Sequence, residues 1–140
     1  MSIEIVDLTK SRIDKKYFQK SGEIVLRKLK AVAENEVSLV FIGDARMRAL
    51  NKKYRGIDKT TDVLSFFYGG DGPRDILGEI VISVPRARKQ AKEQSYPLRR
   101  ELLALFLHGI LHLVGYEDET ERGYKKMVEK QEEILRSLNF

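Results

Sequence analysis

Residues 102–115 read LLALFLHGILHLVG, a run with no Asp, Glu, Lys or Arg. Apolar side chains around the whole circumference of a helix require cover on every side, and this run is too short to cross a bilayer. It therefore predicts a buried helix around which the other elements must be layered. The same run holds both histidines of the 140-residue chain, His108 and His112, four positions apart.

Around that helix the pattern alternates. Ser2–Leu8 is apolar-rich and predicts a strand. Residues 14–33 predict a helix with Phe18, Val25, Leu29 and Val32 on one face, and Ser21-Gly22 as a point where it can break or kink. EVSLVFIG, 36–43, is β-branched and predicts a strand. Asp44 is placed to N-cap a helix to about Tyr54, with Met47, Leu50 and Tyr54 along one side. DVLSFFY, 62–68, predicts a strand, GGDGPRD, 69–75, a loop, and GEIVISV, 78–84, a strand ended by Pro85. A polar helix follows over 86–95. Pro97 suits the first turn of the long apolar helix, which runs to about Val114. A last amphipathic helix, 120–138, turns Met127, Ile134, Leu135 and Leu138 inward. The expectation is a single α+β (α/β) domain over 1–140, with a mixed sheet of about four strands and a layer of about five helices.

Composition adds limits. There is no cysteine, which excludes disulfides and thiolate metal sites and suits a reducing cytoplasm. Residues 1–16 contain no apolar core of signal-peptide type. The net charge of +5 favours polyanionic partners such as nucleic acid, though weakly.

Histidines at i and i+4 share one helix face. Gly115 follows His112 by three, and Asp118 follows Gly115 by three, giving H-x-x-x-H-x-x-G-x-x-D. A glycine at a helix end can reverse the chain and carry position 118 back beside both imidazoles. Two nitrogens and one carboxylate oxygen on one side, with the other side open, is the pattern of catalytic zinc. The spacing matches that of metzincin proteases, but Gly109 stands where those enzymes carry their glutamate base. Asp118 has a second reading, as N-cap of the last helix with Glu121 as its capping-box partner. Thr120 can take that cap instead and leave Asp118 free.

A second stretch is YRGIDKTTDVLSF, 54–66. Six basic residues (Arg46, Arg48, Lys52, Lys53, Arg55 and Lys59) face two acids between positions 44 and 59. Arg55 and Lys59 flank a turn into a strand. A phosphate grip by Arg55 is possible there, but the local sequence by itself reads as a solvated helix end. GGDGPRD lacks the Lys-Ser/Thr ending of a P-loop.

Taken together these stretches resemble the YbeY family of metal-dependent endoribonucleases. HGILHLVGYED resembles the family segment H-G-x-L-H-L-x-G-Y-D-H. YRGIDKTTDVLSFF resembles F/Y-R-x-x-D-x-P-T-D-V-L-S-F-P, and GEIVIS, 78–83, resembles a third common strand. The likeness runs from about Val37 to Met127. It implies a mixed sheet with a helical layer and one zinc ion in a cleft. It also implies cleavage of single-stranded RNA, and a role in ribosomal RNA maturation and ribosome quality control with the ribosome or its proteins as partners. Position by position it carries metal ligation to His108 and His112 and the functional arginine to Arg55. Departures include Asp118 in place of the third histidine and Thr60 and Phe67 in place of prolines. A carboxylate adds negative charge and weakens a metal's pull on bound water relative to imidazole.

The reading is therefore a cytoplasmic RNA hydrolase with no membrane association. His108, His112 and Asp118 hold its metal, Arg55 stabilises transition-state charge, and no general base is assignable. Two alternatives stand beside it. One is a non-haem iron enzyme, which uses the same two-histidine, one-carboxylate set. The other is a non-catalytic ribosome-associated factor.

Overall fold

A computed structural model describes residues 2–29, 36–69 and 76–138. In chain order they form β1 (Ser2–Asp7), α1 (Lys15–Lys28), β2 (Glu36–Ile42), α2 (Asp44–Arg55), β3 (Val63–Phe67), β4 (Ile76–Ser83), α3 (Val84–Gln94), α4 (Leu98–Leu113) and α5 (Glu121–Arg136). The strands make one mixed sheet in the order β1-β2-β4-β3. β1, β2 and β4 run parallel, and β3 pairs antiparallel with β4 at the edge. The α+β expectation of four strands and five helices holds for the described residues. Of the predicted loop 69–75, only Gly69 is among them, and Val32 and the predicted end of the first helix at Ala33 lie outside.

The apolar run dictates the layering. In α4, Leu102, Leu103, Phe106, Leu107, Ile110 and Leu111 are all buried. α4 crosses β3 and β4, with α1, α3 and α5 around it. The opposite sheet face is covered by α2, where Met47 packs with Ile42, Leu64 and Val81. α5 turns Met127, Ile134, Leu135 and Leu138 into the main core, as its periodicity predicts.

Four local expectations are corrected. Ser21-Gly22 does not interrupt α1; both are buried within it. A Cβ on Gly22 would lie 3.0 Å from Ile3 and from the Phe106 ring, so the glycine lets α1 approach β1 and α4. Asp44 is the first residue of α2 rather than its cap, a place taken by Gly43. Its carboxylate instead accepts hydroxyl hydrogen bonds from Thr60 (3.0 Å) and Ser83 (2.5 Å), tying three segments together. Pro85 lies in the first turn of α3, where its missing N–H costs nothing, and Ser83 caps that helix. Tyr54 is 57% exposed and does not join Met47 in the core.

Candidate metal centre

His108 and His112 stand one turn apart on α4 by their i, i+4 spacing, and Gly109 between them presses that helix onto the sheet. A Cβ on Gly109 would come within 2.7 Å of Ile80 on β4, so position 109 points into the sheet. A glutamate base of metzincin type has no room there. The two imidazoles flank that contact and look out over β3, where Ser65 Oγ donates to the Gly109 carbonyl at 3.5 Å.

After α4 the chain reverses at Gly115, whose φ of 104° lies in the region that favours glycine. The Tyr116 N–H donates to the Leu111 carbonyl at 2.9 Å and the Gly115 N–H to the His112 carbonyl at 3.1 Å. This pairing is the Schellman stop. It returns the chain towards the histidines.

Of the four carboxylates that crowd the turn, the structure separates the roles of two. Glu117 folds onto the start of α5 and accepts from the backbone N–H of Glu119 (2.7 Å) and of Thr120 (3.2 Å), and from the Thr120 hydroxyl (2.8 Å). The hydroxyl and these amides hold its carboxyl below the ordinary range. Thr120 caps α5, its Oγ accepting from the Gly123 N–H at 3.0 Å. Asp118 is thus released from the capping role, and its Oδ2 lies 3.5 Å from His112 Nε2 and 3.9 Å from His108 Nε2.

The two Nε2 atoms are 3.1 Å apart, and the ligand atoms of all three residues lie within 4.8 Å of one another. His112 Nδ1 lies 3.1 Å from the Tyr116 carbonyl. A carbonyl only accepts, so Nδ1 carries the proton and Nε2 offers a lone pair into the cluster. Burial, then the neighbouring His112, pushes the His108 pKa below its ordinary value, against the opposing pull of Asp118, Asp62 and a hydrogen bond with Gln131. Neutral imidazole is the form that ligates. Ligands bound about 2.0–2.1 Å from a tetrahedral ion are separated by about 3.3 Å. The donors and their spacing fit a small divalent cation. The imidazoles are 29% exposed and the carboxylate 41%, so one side of the cluster opens to solvent.

It opens into a cleft of about 620 Å³ over the free edge of β3. Arg55 lines the same cleft as His108, His112 and Asp118. It is the last residue of α2, and the chain turns away at Gly56, whose φ is 71°. The segment that follows is pinned at successive residues. Asp58 pairs with Arg48 at 2.9 Å, the Lys59 carbonyl accepts from buried Asn51 at 2.8 Å, and Thr60 donates to Asp44. Thr60, at a family proline position, is fixed by that hydrogen bond rather than by a ring. Lys59, grouped with Arg55 in the sequence, lies instead with Asp44, Arg48 and Asp58 at a separate surface depression.

The cleft also gathers residues that the pattern alone did not single out. Asp62 lines it, with Oδ1 accepting from the Val63 N–H at 2.8 Å and Oδ2 from Gln90 at 3.2 Å. Glu119, Tyr54, Ser65 and Phe66 are also on its wall. The signal for Asp62 and Ser65 was the TTDVLSF stretch itself. Gln131, ten residues into α5, had none.

A mixed sheet, a cation-ready cluster on its covering helix and an arginine in the same cleft are the parts of an α+β metal-dependent enzyme. Comparison with known proteins supplies the rest. The profile of the endoribonuclease YbeY family matches residues 4–139. The endoribonuclease YbeY of Pelotomaculum thermopropionicum is 46% identical over 113 residues, covering 76% of this chain and 74% of that one. That of Persephonella marina is 39% identical over 130 residues, covering 90% and 84%. The solution structure of TM1509 from Thermotoga maritima superposes with a TM-score of 0.71 at 28% identity, covering 96% of this chain and 87% of that one. The chain belongs to the endoribonuclease YbeY family.

Proposed function

We propose that the protein is a zinc-dependent endoribonuclease that cuts single-stranded RNA during ribosomal RNA maturation in the cytoplasm, working on or beside the ribosome. The observation that carries this is the cleft shared by Arg55 and the His108–His112–Asp118 cluster. Endoribonuclease activity and a part in ribosomal RNA processing follow from the family. Hydrolysis is then the reaction, which sets aside the oxidative and the non-catalytic alternatives. No helix among the described residues is long and apolar enough to cross a membrane.

His108, His112 and Asp118 would hold the metal. Bound there, a divalent ion supplies Lewis acidity, polarising a phosphoryl oxygen and lowering the pKa of water. The chain does the rest. The Tyr116 carbonyl fixes the His112 tautomer, and burial keeps His108 neutral. Arg55, on the wall of the same cleft, offers a planar fork of donors to phosphate oxygens as charge builds on them. Lys52 and Lys53, beside it in the last turn of α2, draw in the RNA backbone. The direct test is metal-stripped protein reloaded with zinc, manganese or magnesium and given ribosomal RNA containing paired and unpaired segments. Cuts confined to unpaired segments and abolished by chelator are expected. RNA left intact with every metal, or cut within duplexes, would overturn the reading.

Asp118 and Thr120 separate cleanly by mutation. Asp118→Ala should sharply weaken metal affinity and leave thermal stability nearly unchanged. Thr120→Ala should do the reverse, losing about 1 kcal/mol of stability with the loss of the cap and keeping its zinc affinity. Calorimetry and zinc titration on both variants check this. Zinc affinity unchanged in Asp118→Ala would leave only the two histidines as ligands.

A further inference from the structure

Part of the cleft wall is aromatic. Tyr54 and Phe66 both line it, their rings 5.2 Å apart and 68° from parallel. Successive strand residues alternate faces. Leu64 and Phe66 pack on the α2 side, and Tyr68 follows in phase, its N–H continuing the ladder to the Leu77 carbonyl at 2.9 Å. Burial, then Glu79 and Tyr54, raises the Tyr68 phenol above its ordinary pKa. Tyr54 is 57% exposed and Tyr68 51%. Tyr54 and Phe66 thus lie together on the cleft wall, and Tyr68 follows on the same side of the edge strand.

Exposed aromatics on an edge strand are an aggregation liability unless something covers them. The charge around these rings selects the occupant. Tyr54 sits inside the run Lys52-Lys53-Tyr54-Arg55, and the Lys53 ammonium lies 5.2 Å from its ring centroid. Aromatic faces interleaved with cations are how single-stranded nucleic acid is held, bases stacking on rings while phosphates meet the charges. A duplex keeps its bases stacked on one another and has none to offer.

We infer that Tyr54, Phe66 and Tyr68 form a stacking platform for unpaired bases flanking the cut phosphate, so that this wall, rather than the metal, selects single-stranded RNA. The inference rests on the RNA-cleaving reading of the cleft and deepens it. Phe67 provides an internal control. It is 66% exposed and stands at a family proline position, but alternation puts it on the other face of β3.

The experiment measures binding of a short single-stranded RNA and of the same strand with abasic nucleotides. Tyr54→Ala should bind the normal strand about 10-fold more weakly, the scale of one base–aromatic stack, and the abasic strand as wild type does. Tyr54→Phe should bind like wild type, because the ring and not the hydroxyl does the work. Phe67→Ala should change neither. Equal loss on normal and abasic strands, or no loss at all, overturns the platform; the second result would leave the rings to a protein partner. Binding is read without cleavage. Failure of the wild-type protein to cut RNA would remove the nuclease reading, and the base dependence of binding would still decide the platform.

Discussion

A His112→Ala protein is expected to take up no stoichiometric zinc in equilibrium dialysis and to cut RNA no faster than background, while remaining folded. His112 Nε2 is the closest neighbour of both other ligand atoms, 3.1 Å from His108 and 3.5 Å from Asp118. Without it a pair 3.9 Å apart remains. Loss of a residue that merely orients a ligand costs metal affinity about 10–100-fold, so loss of the ligand itself should exceed about 100-fold. The imidazole sits at the solvent rim, so its removal opens no large cavity and the melting transition of the metal-free protein should shift little. Wild-type affinity should also fall in acid below the ordinary histidine value of about 6.5, because His108 must be neutral to ligate. The sign follows from His108: burial lowers its folded pKa, so the folded protein favours neutral imidazole, and acid both protonates this ligand and erodes stability below the unfolded-state pKa. Unchanged zinc uptake by a folded His112→Ala would remove the metal from this site.

Arg55→Ala should lower single-turnover cleavage about 100-fold or more under saturating protein, the scale of losing one donor aimed at developing charge. Arg55→Lys should recover only part of that rate, because an ammonium lacks the bidentate fork. Lys52→Ala, one turn back on α2, should instead weaken RNA binding in a way that higher salt masks, and leave the saturated rate close to wild type. The contrast turns on position: Arg55 is on the wall of the cleft that holds the histidines. An Arg55→Ala protein that cleaves at the wild-type rate would reduce this residue to one more surface cation.

Much of the architecture was legible because burial leaves a periodic trace. α5 is amphipathic enough that its inward residues follow from spacing alone, and α4 is legible from the want of any polar face. The turn at Gly115 was legible because a helix stop of that kind favours one residue type. Gly22 misled for the same reason in reverse. A break and a close helix contact both select glycine, and only the neighbours, Ile3 and Phe106, distinguish them. The sheet order and the antiparallel placement of β3 depend on pairings between distant segments and leave no local mark. So does the partition of Arg55 into the cleft and Lys59 away from it. The glycine hinge and the two histidines favoured Asp118 as a ligand over a cap, and Glu117 and Thr120 satisfy the start of α5 between them.

The three residues proposed to ligate the metal all lie within 108–118, on a helix end, a tight turn and the first step towards the next helix. Bringing them together closes only short loops, whose entropic cost is small. Arg55 belongs to a different part of the chain and reaches the cleft only after β3 has paired with β4 and α2 has docked on the far face. Such non-local pairings form slowly. The metal grip is thus assembled from neighbours in sequence, whereas a cleft able to cut RNA requires the completed topology.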